Sequence, residues 1–202
     1  MTEDMDYRAL AQRFDAPGVR AIVLMGSQAR GDAGPFSDVD LVCLTDPGVE
    51  ALPGEGSHLI EGRLVVVSRV GPAQVEEWFT RPEITVQVLA GVRRARALID
   101  REGAFAAAQA RALAFTWDSE FQRQADAQAS REMVGWIEEV HKGLEGLRRD
   151  DVGRMLHGRF GCTWGLARVM CVQRGILPVS YTHLDAADDL LCVDLGGRRI
   201  IK

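Results

Sequence analysis

Two short stretches of this sequence hold the residue types that chemistry on a phosphate needs. The first is Gly26-Ser27, with Ala29-Arg30-Gly31 just behind it; the second is Ser37-Asp38-Val39-Asp40-Leu41. An apolar run over residues 19–25, broken only by Arg20, leads into the first stretch and reads as a buried strand. A Gly-Ser pair at the end of a strand lets the backbone turn sharply and come close to a ligand. The second stretch opens another strand at Asp38, which runs on through Leu41, Val42 and Leu44. Side chains alternate along a strand, so Asp38 and Asp40 share one face. Two carboxylates on one face, beside a glycine turn and an arginine, suit a magnesium ion and the phosphates it bridges.

The pattern resembles the signature of the nucleotidyltransferase superfamily of DNA polymerase β, in particular its small bacterial, aminoglycoside nucleotidyltransferase-like members. That signature is Gly-Ser, then Ala-Arg-Gly, then Ser-Asp-x-Asp-Leu, and both separated halves stand here in full. The resemblance implies an enzyme, an adenylyltransferase-like nucleotidyltransferase. It would move a nucleoside monophosphate, by family default AMP from ATP, to a hydroxyl of a small molecule and release pyrophosphate. It implies Asp38 and Asp40 as catalytic ligands of one or two Mg²⁺ ions. Gly26 and Ser27 would then donate to the β- and γ-phosphates at a helix N-terminus. Arg30 either pairs with the triphosphate or ties down the loop carrying Asp38, and Ser37 caps the turn. The family places a third acid on the neighbouring strand, after an Ile-Glu-Gly-Arg-like hairpin. Here that run is Leu64-Val65-Val66-Val67, with no carboxylate. The nearest acid is Glu61, in the turn itself: a solvated turn residue, or a substitute third ligand.

In aminoglycoside-type relatives a glutamate of the helical domain acts as general base on the acceptor hydroxyl. The resemblance carries that role to Glu139 or Glu138, with His141 and Lys142 one turn on. Gly135, Glu139, Lys142 and Gly146 fall on one helical face, whose two glycines would let a ligand or a neighbouring helix come close, and Lys142 is a candidate nucleotide contact there. Its plainer reading is a solvent-exposed i,i+4 pair with Glu138. His58 and His157 stand alone in the sequence and read as structural.

These residues need a scaffold, and the rest of the chain predicts one. Residues 5–14 carry apolar positions at helical spacing. After the two strands of the motif comes a hairpin, residues 58–60 and 63–68 around Glu61-Gly62. Pro72 is well placed as the first residue of a helix through Phe79. Residues 84–90 read as a short helix whose β-branched residues leave a strand open, 95–99 as a strand, and 104–115 as a helix. From Asp118 the pattern is helical only. Met133, Ile137, Val140, Leu144 and Leu147 recur at three- and four-residue steps, a stripe expected to face a partner helix. After Arg149-Asp150-Asp151 a second helix carries Leu156, Phe160, Trp164, Ala167, Val169 and Cys171. The expected fold is α/β (α+β): a small mixed β-sheet nucleotidyltransferase domain flanked by helices over residues 1–115, then a partial helical bundle over 116–178.

Residues 179–202 read differently. Val179-Ser180-Tyr181-Thr182-His183-Leu184 and the run from Cys192 to Lys202 resemble translated sequencing adapter, so 179–202 is expected to be a non-native tail and the helical bundle to be truncated near Pro178. With 47% hydrophobic and 26% charged residues the whole sequence has the composition expected of a soluble, cytoplasmic protein. No apolar run has membrane-spanning length. The net charge of −5 argues against a grip on nucleic acid. Cys43, Cys162, Cys171 and Cys192 lack metal-ligand spacing and read as buried thiols. NTP and a small hydroxylated acceptor are the expected partners. Two other readings stand beside that one: an antitoxin-like regulatory nucleotidyltransferase acting on or binding a partner protein, and a nucleotide-binding pseudoenzyme.

Overall fold

Asp6 accepts hydrogen bonds from the amides of Arg8 and Ala9 and so starts α1, Tyr7–Gln12, in a computed structural model that describes residues 5–178. The adapter-like reading falls outside those residues. β1, Val19–Met25, runs directly into α2, the short helix Gly26–Arg30, and β2, Val39–Thr45, follows a loop. β3, Gly56–Ile60, and β4, Arg63–Val70, form the expected hairpin. Glu61 and Gly62 at its tip both have positive φ, as a two-residue hairpin turn requires. α3 (Pro72–Thr80), α4 (Pro82–Arg94), β5 (Arg96–Asp100) and α5 (Ala104–Ala114) complete the α/β part. The strands form one mixed sheet in the order β3-β4-β2-β1-β5. β1 is antiparallel to β2 and β5, while β2 and β4 run parallel.

Alternation along the strands decides which residues enter the core. Ile22, Leu24, Leu41, Cys43, Val65 and Val67 are buried together with Leu10, Ala11 and Phe14 from α1 and its flank. α4 is longer than the expected 84–90 segment. Its β-branched residues lower helix propensity, but Val86, Leu89 and Val92 are all buried, and that burial overrides the local preference. Pro82 opens the helix, and the Thr85 hydroxyl donates to the Arg81 carbonyl across its first turn.

The chain divides into two compact units: residues up to Phe79 with Val88–Phe115, and Thr80–Gln87 with the residues from Thr116 on. The second unit is built on two long helices, α6 (Ser119–Arg149) and α7 (Val152–Arg174), each started by an aspartate, Asp118 and Asp151. They run antiparallel, and their contact is made by glycines. A Cβ on Gly158 would come within 2.5 Å of the Gly143 amide nitrogen, and one on Gly146 within 2.6 Å of the Met155 nitrogen. Beyond that close approach, Val86, Ala125, Ala129, Val169, Cys171 and Val172 form a buried cluster edged by Trp117 and Trp136.

This contact corrects one expectation. Met133, Ile137, Val140, Leu144 and Leu147 do not face α7; they are between 37% and 63% exposed. Leu156, Phe160 and Trp164 of α7 are exposed as well. The periodicity located apolar flanks correctly, but the helices meet along a face of small residues that hydrophobicity does not mark. Of the two glycines expected to let a ligand or a neighbouring helix come close, Gly146 packs on the Met155 backbone, whereas a Cβ on Gly135 would meet nothing within 4 Å. Cys43 and Cys171 are buried free thiols, and burial, with the nearby charges of Glu55 and Asp15, pushes Cys43 up to about 11.

Candidate functional site

The first unit brings the two halves of the motif together through strand register. Met25, the last residue of β1, is the ladder partner of Asp40 on β2. The next residue is Gly26, with φ +66, where the chain leaves the sheet for α2. A Cβ on Gly26 would lie 2.5 Å from Asp40 Oδ2. Glycine is therefore needed here twice over: for the left-handed backbone and for the space taken by the carboxylate. α2 ends on Gly31 at φ +81, whose amide donates to the Ser27 carbonyl at 2.9 Å.

Asp38 stands one residue before β2, and Asp40 is the second residue within it. Burial raises the pKa of Asp40 above its ordinary value, and the negative charge of Asp38 adds to that shift. Asp40 is thus a partly desolvated carboxylate with a second negative charge close by. That donor set fits a hard divalent cation, which prefers carboxylate oxygens and completes its shell with water or phosphate. On the other side of β2, the parallel ladder sets Val66 of β4 beside Asp40. A third carboxylate would sit well there, and a valine occupies the position. Among the described residues no three His, Cys, Asp or Glu side chains gather as a metal cage. Glu61 is exposed in the hairpin turn.

The loop between α2 and β2 is tied from within. Arg30 Nε donates to Asp32 at 3.0 Å, and the Ser37 hydroxyl accepts from the Gly34 amide at 2.9 Å. Arg30 thus pairs with the start of the loop that leads to Asp38, and Ser37 closes the turn as its residue type suggests. Tyr7 was not singled out by the sequence. Its hydroxyl donates to Gln28 Oε1 at 2.7 Å, and Arg96 lies 5.5 Å from the centroid of its ring. The Tyr7–Gln28 contact spans 21 residues of chain and leaves no periodic trace.

Glu138, Glu139 and Lys142 belong to the second unit. Lys142 Nζ sits 2.7 Å from Glu139 Oε1 and 3.0 Å from Glu138 Oε1. The hydrogen bonds to Glu139 and then Glu138 raise the pKa of Lys142. The two glutamates differ sharply: the Glu138 side chain is 73% exposed and that of Glu139 only 15%. Glu139 lies over Gly161, where a Cβ would meet its carboxylate at 2.7 Å. Its Oε2 is buried, 3.6 Å from His157 Nε2, so His157 is not isolated as its place in the sequence suggests. His58, by contrast, has a structural setting, packed on Phe14 and bonded to the Gly54 carbonyl.

Residues 8–102 match a family model described as "Nucleotidyltransferase domain". Among solved structures, a nucleotidyltransferase-like protein from Exiguobacterium sibiricum 255-15 is similar at 14% identity and a TM-score of 0.46. The alignment covers 89% of this chain and 60% of that one, so this chain spans about three fifths of the length of that protein. No curated protein matches the sequence.

Proposed function

Since a nucleotidyltransferase-superfamily domain is present, we propose that this chain transfers a nucleoside monophosphate, AMP from ATP, to a hydroxyl of a small molecule. In that reaction the acceptor oxygen attacks the α-phosphorus, the bond from that phosphorus to the bridging oxygen breaks, and pyrophosphate leaves. The observation that carries the reading is the packing of Asp40 on Gly26, which sets a carboxylate pair against a strand-to-helix turn. Mg²⁺ held by Asp38 and Asp40 would neutralise charge on the triphosphate. The amides of Gly26 and Ser27 would receive the β- and γ-phosphate oxygens. Arg30, through Asp32, keeps the loop before Asp38 in place, and its charge favours the triphosphate nearby.

The acceptor proton needs a carboxylate. Of the two candidates Glu139 is the better base, because its burial in the notch over Gly161 fixes its orientation. Both glutamates are ion-paired with Lys142, and Glu138 is the more exposed of the two, which suits it to a surface role. A second reading, a nucleotide-binding pseudoenzyme, is favoured by one observation: Val66 beside Asp40.

The test is incubation with ATP labelled at the α-phosphate, Mg²⁺ and a panel of hydroxylated small molecules, including aminoglycosides and lincosamides. Label should appear in a small-molecule product and be lost in Asp38→Asn and Asp40→Asn. Undiminished transfer by both variants would remove the catalytic assignment. ATP binding without transfer to any acceptor would favour the pseudoenzyme.

A further inference from the structure

α2 has five residues and its N-cap makes no side-chain hydrogen bond. A helix of that length has almost no stability of its own, so its direction must be set by ties to the rest of the fold. Ala29 supplies one by packing on the sheet core. Gln28 supplies another, its Oε1 accepting from the Tyr7 hydroxyl of α1 at 2.7 Å. Gln28 Nε2 is buried and has no hydrogen-bond partner among the described residues. Breaking the Tyr7 bond would therefore leave both ends of a largely enclosed amide unsatisfied, and the helix would turn to relieve it. Tyr7 is itself steadied by Arg96, whose guanidinium lies 5.5 Å from the ring centroid. Arg96 is the ladder partner of Leu24, two residues before Gly26, so this brace acts beside the turn.

We infer that Tyr7, through its hydrogen bond to Gln28, is a positioning residue that sets the orientation of α2 and hence of the Gly26 and Ser27 amides. Its consequence for nucleotide binding rests on the function proposed above; the tether itself does not. Tyr7→Phe removes the hydroxyl and keeps the ring under Arg96. Gln28→Met keeps the length of the side chain and removes the amide.

Three measurements on the full chain decide the matter: amide hydrogen exchange over residues 26–31, affinity for a fluorescent ATP analogue with Mg²⁺, and thermal melting. In Tyr7→Phe, exchange over 26–31 should accelerate about fivefold, the size of one lost hydrogen bond, while β2 amides hold and the melting temperature falls by no more than that one bond accounts for. The dissociation constant should rise by a similar factor, and Tyr7→Phe/Gln28→Met should be no weaker than either single variant. Unchanged exchange overturns the inference. Faster exchange with unchanged affinity overturns the positioning role, as does affinity lost in step with melting temperature. If the unmodified chain binds no nucleotide, the proposed function falls, and the exchange result alone upholds or overturns the tether.

Discussion

Asp40 carries a conflict that a single substitution can expose. Its raised pKa means that the folded chain holds a proton on this carboxylate at pH values where the unfolded chain, with an ordinary value of 3.8, has released it. Folded-state proton binding exceeds that of the unfolded state in this window, so stability falls as pH rises through it. At neutral pH the ionised pair is a standing cost, borne by burial of Asp40 and by repulsion from Asp38. Asp40→Asn should therefore melt higher than the unmodified chain at pH 7 in the presence of EDTA. Below pH 3.8 the advantage should vanish, because both forms are then neutral at this position. Added Mg²⁺ should raise the melting temperature of the unmodified chain and leave the variant unmoved. Equal melting at pH 7 in EDTA would mean that Asp40 is solvated well enough to bear its charge. The expected strand alternation does not hold the pair: β2 begins at Val39, so Asp38 stands in the loop just before it and only Asp40 is a strand residue, although the charge of Asp38 is felt at Asp40. The glycine contact was half legible: residue type suggested the turn, but only the register of β1 on β2 shows that Asp40 fills the space a Cβ would need. Tyr7 and Gln28 were not legible, since nothing in their spacing links α1 to α2.

Among the elements, α6 and α7 separate what periodicity can tell from what it cannot. Both helices are where their apolar spacing places them, and their breaks fall at Asp150 and Gly175, each in the left-handed conformation. The face on which they meet was legible only at Gly146, because glycine contributes nothing to a hydrophobic stripe although it permits the closest helix approach. Two substitutions of one type should move stability in opposite directions. Gly158→Ala would set a methyl 2.5 Å from the Gly143 nitrogen and 2.7 Å from the Glu139 carbonyl oxygen, both backbone atoms. It should destabilise the second unit by roughly 1–3 kcal/mol, as overpacking of a close contact does. Gly135→Ala meets nothing within 4 Å and should stabilise by about 0.5–1 kcal/mol through helix propensity. Urea titrations followed by far-ultraviolet circular dichroism would check both signs. A stabilising Gly158→Ala would show that the helices part easily and that the notch holding Glu139 is not built as described.

At the scale of the whole molecule, two clusters of buried residues among those described share no member. One is the sheet core around Ile22, Leu24 and Leu41; the other gathers Val86, Ala125, Ala129, Val169 and Val172 in the second unit. Among the described residues no helix is long and apolar enough to cross a membrane. The division was partly legible: the change from mixed to purely helical pattern near Asp118 marks it, whereas the grouping of Thr80–Gln87 with the later helices left no compositional mark. Additivity is expected of two sites whose contacts are separate. Asp40 contacts the Gly26 turn and lies beside Asp38, while Gly158 touches Gly143 and the Glu139 backbone. Effects at sites with no shared partner add to within about 0.5 kcal/mol. The gain from Asp40→Asn in EDTA and the loss from Gly158→Ala should therefore sum in the double variant. A larger departure in a double-mutant cycle of urea titrations would reveal a coupling between the two units that neither core accounts for by itself. Such a coupling would be expected only if the state of the carboxylate pair is felt in the helical unit, so adding Mg²⁺ to the same cycle tests whether cation binding switches it on.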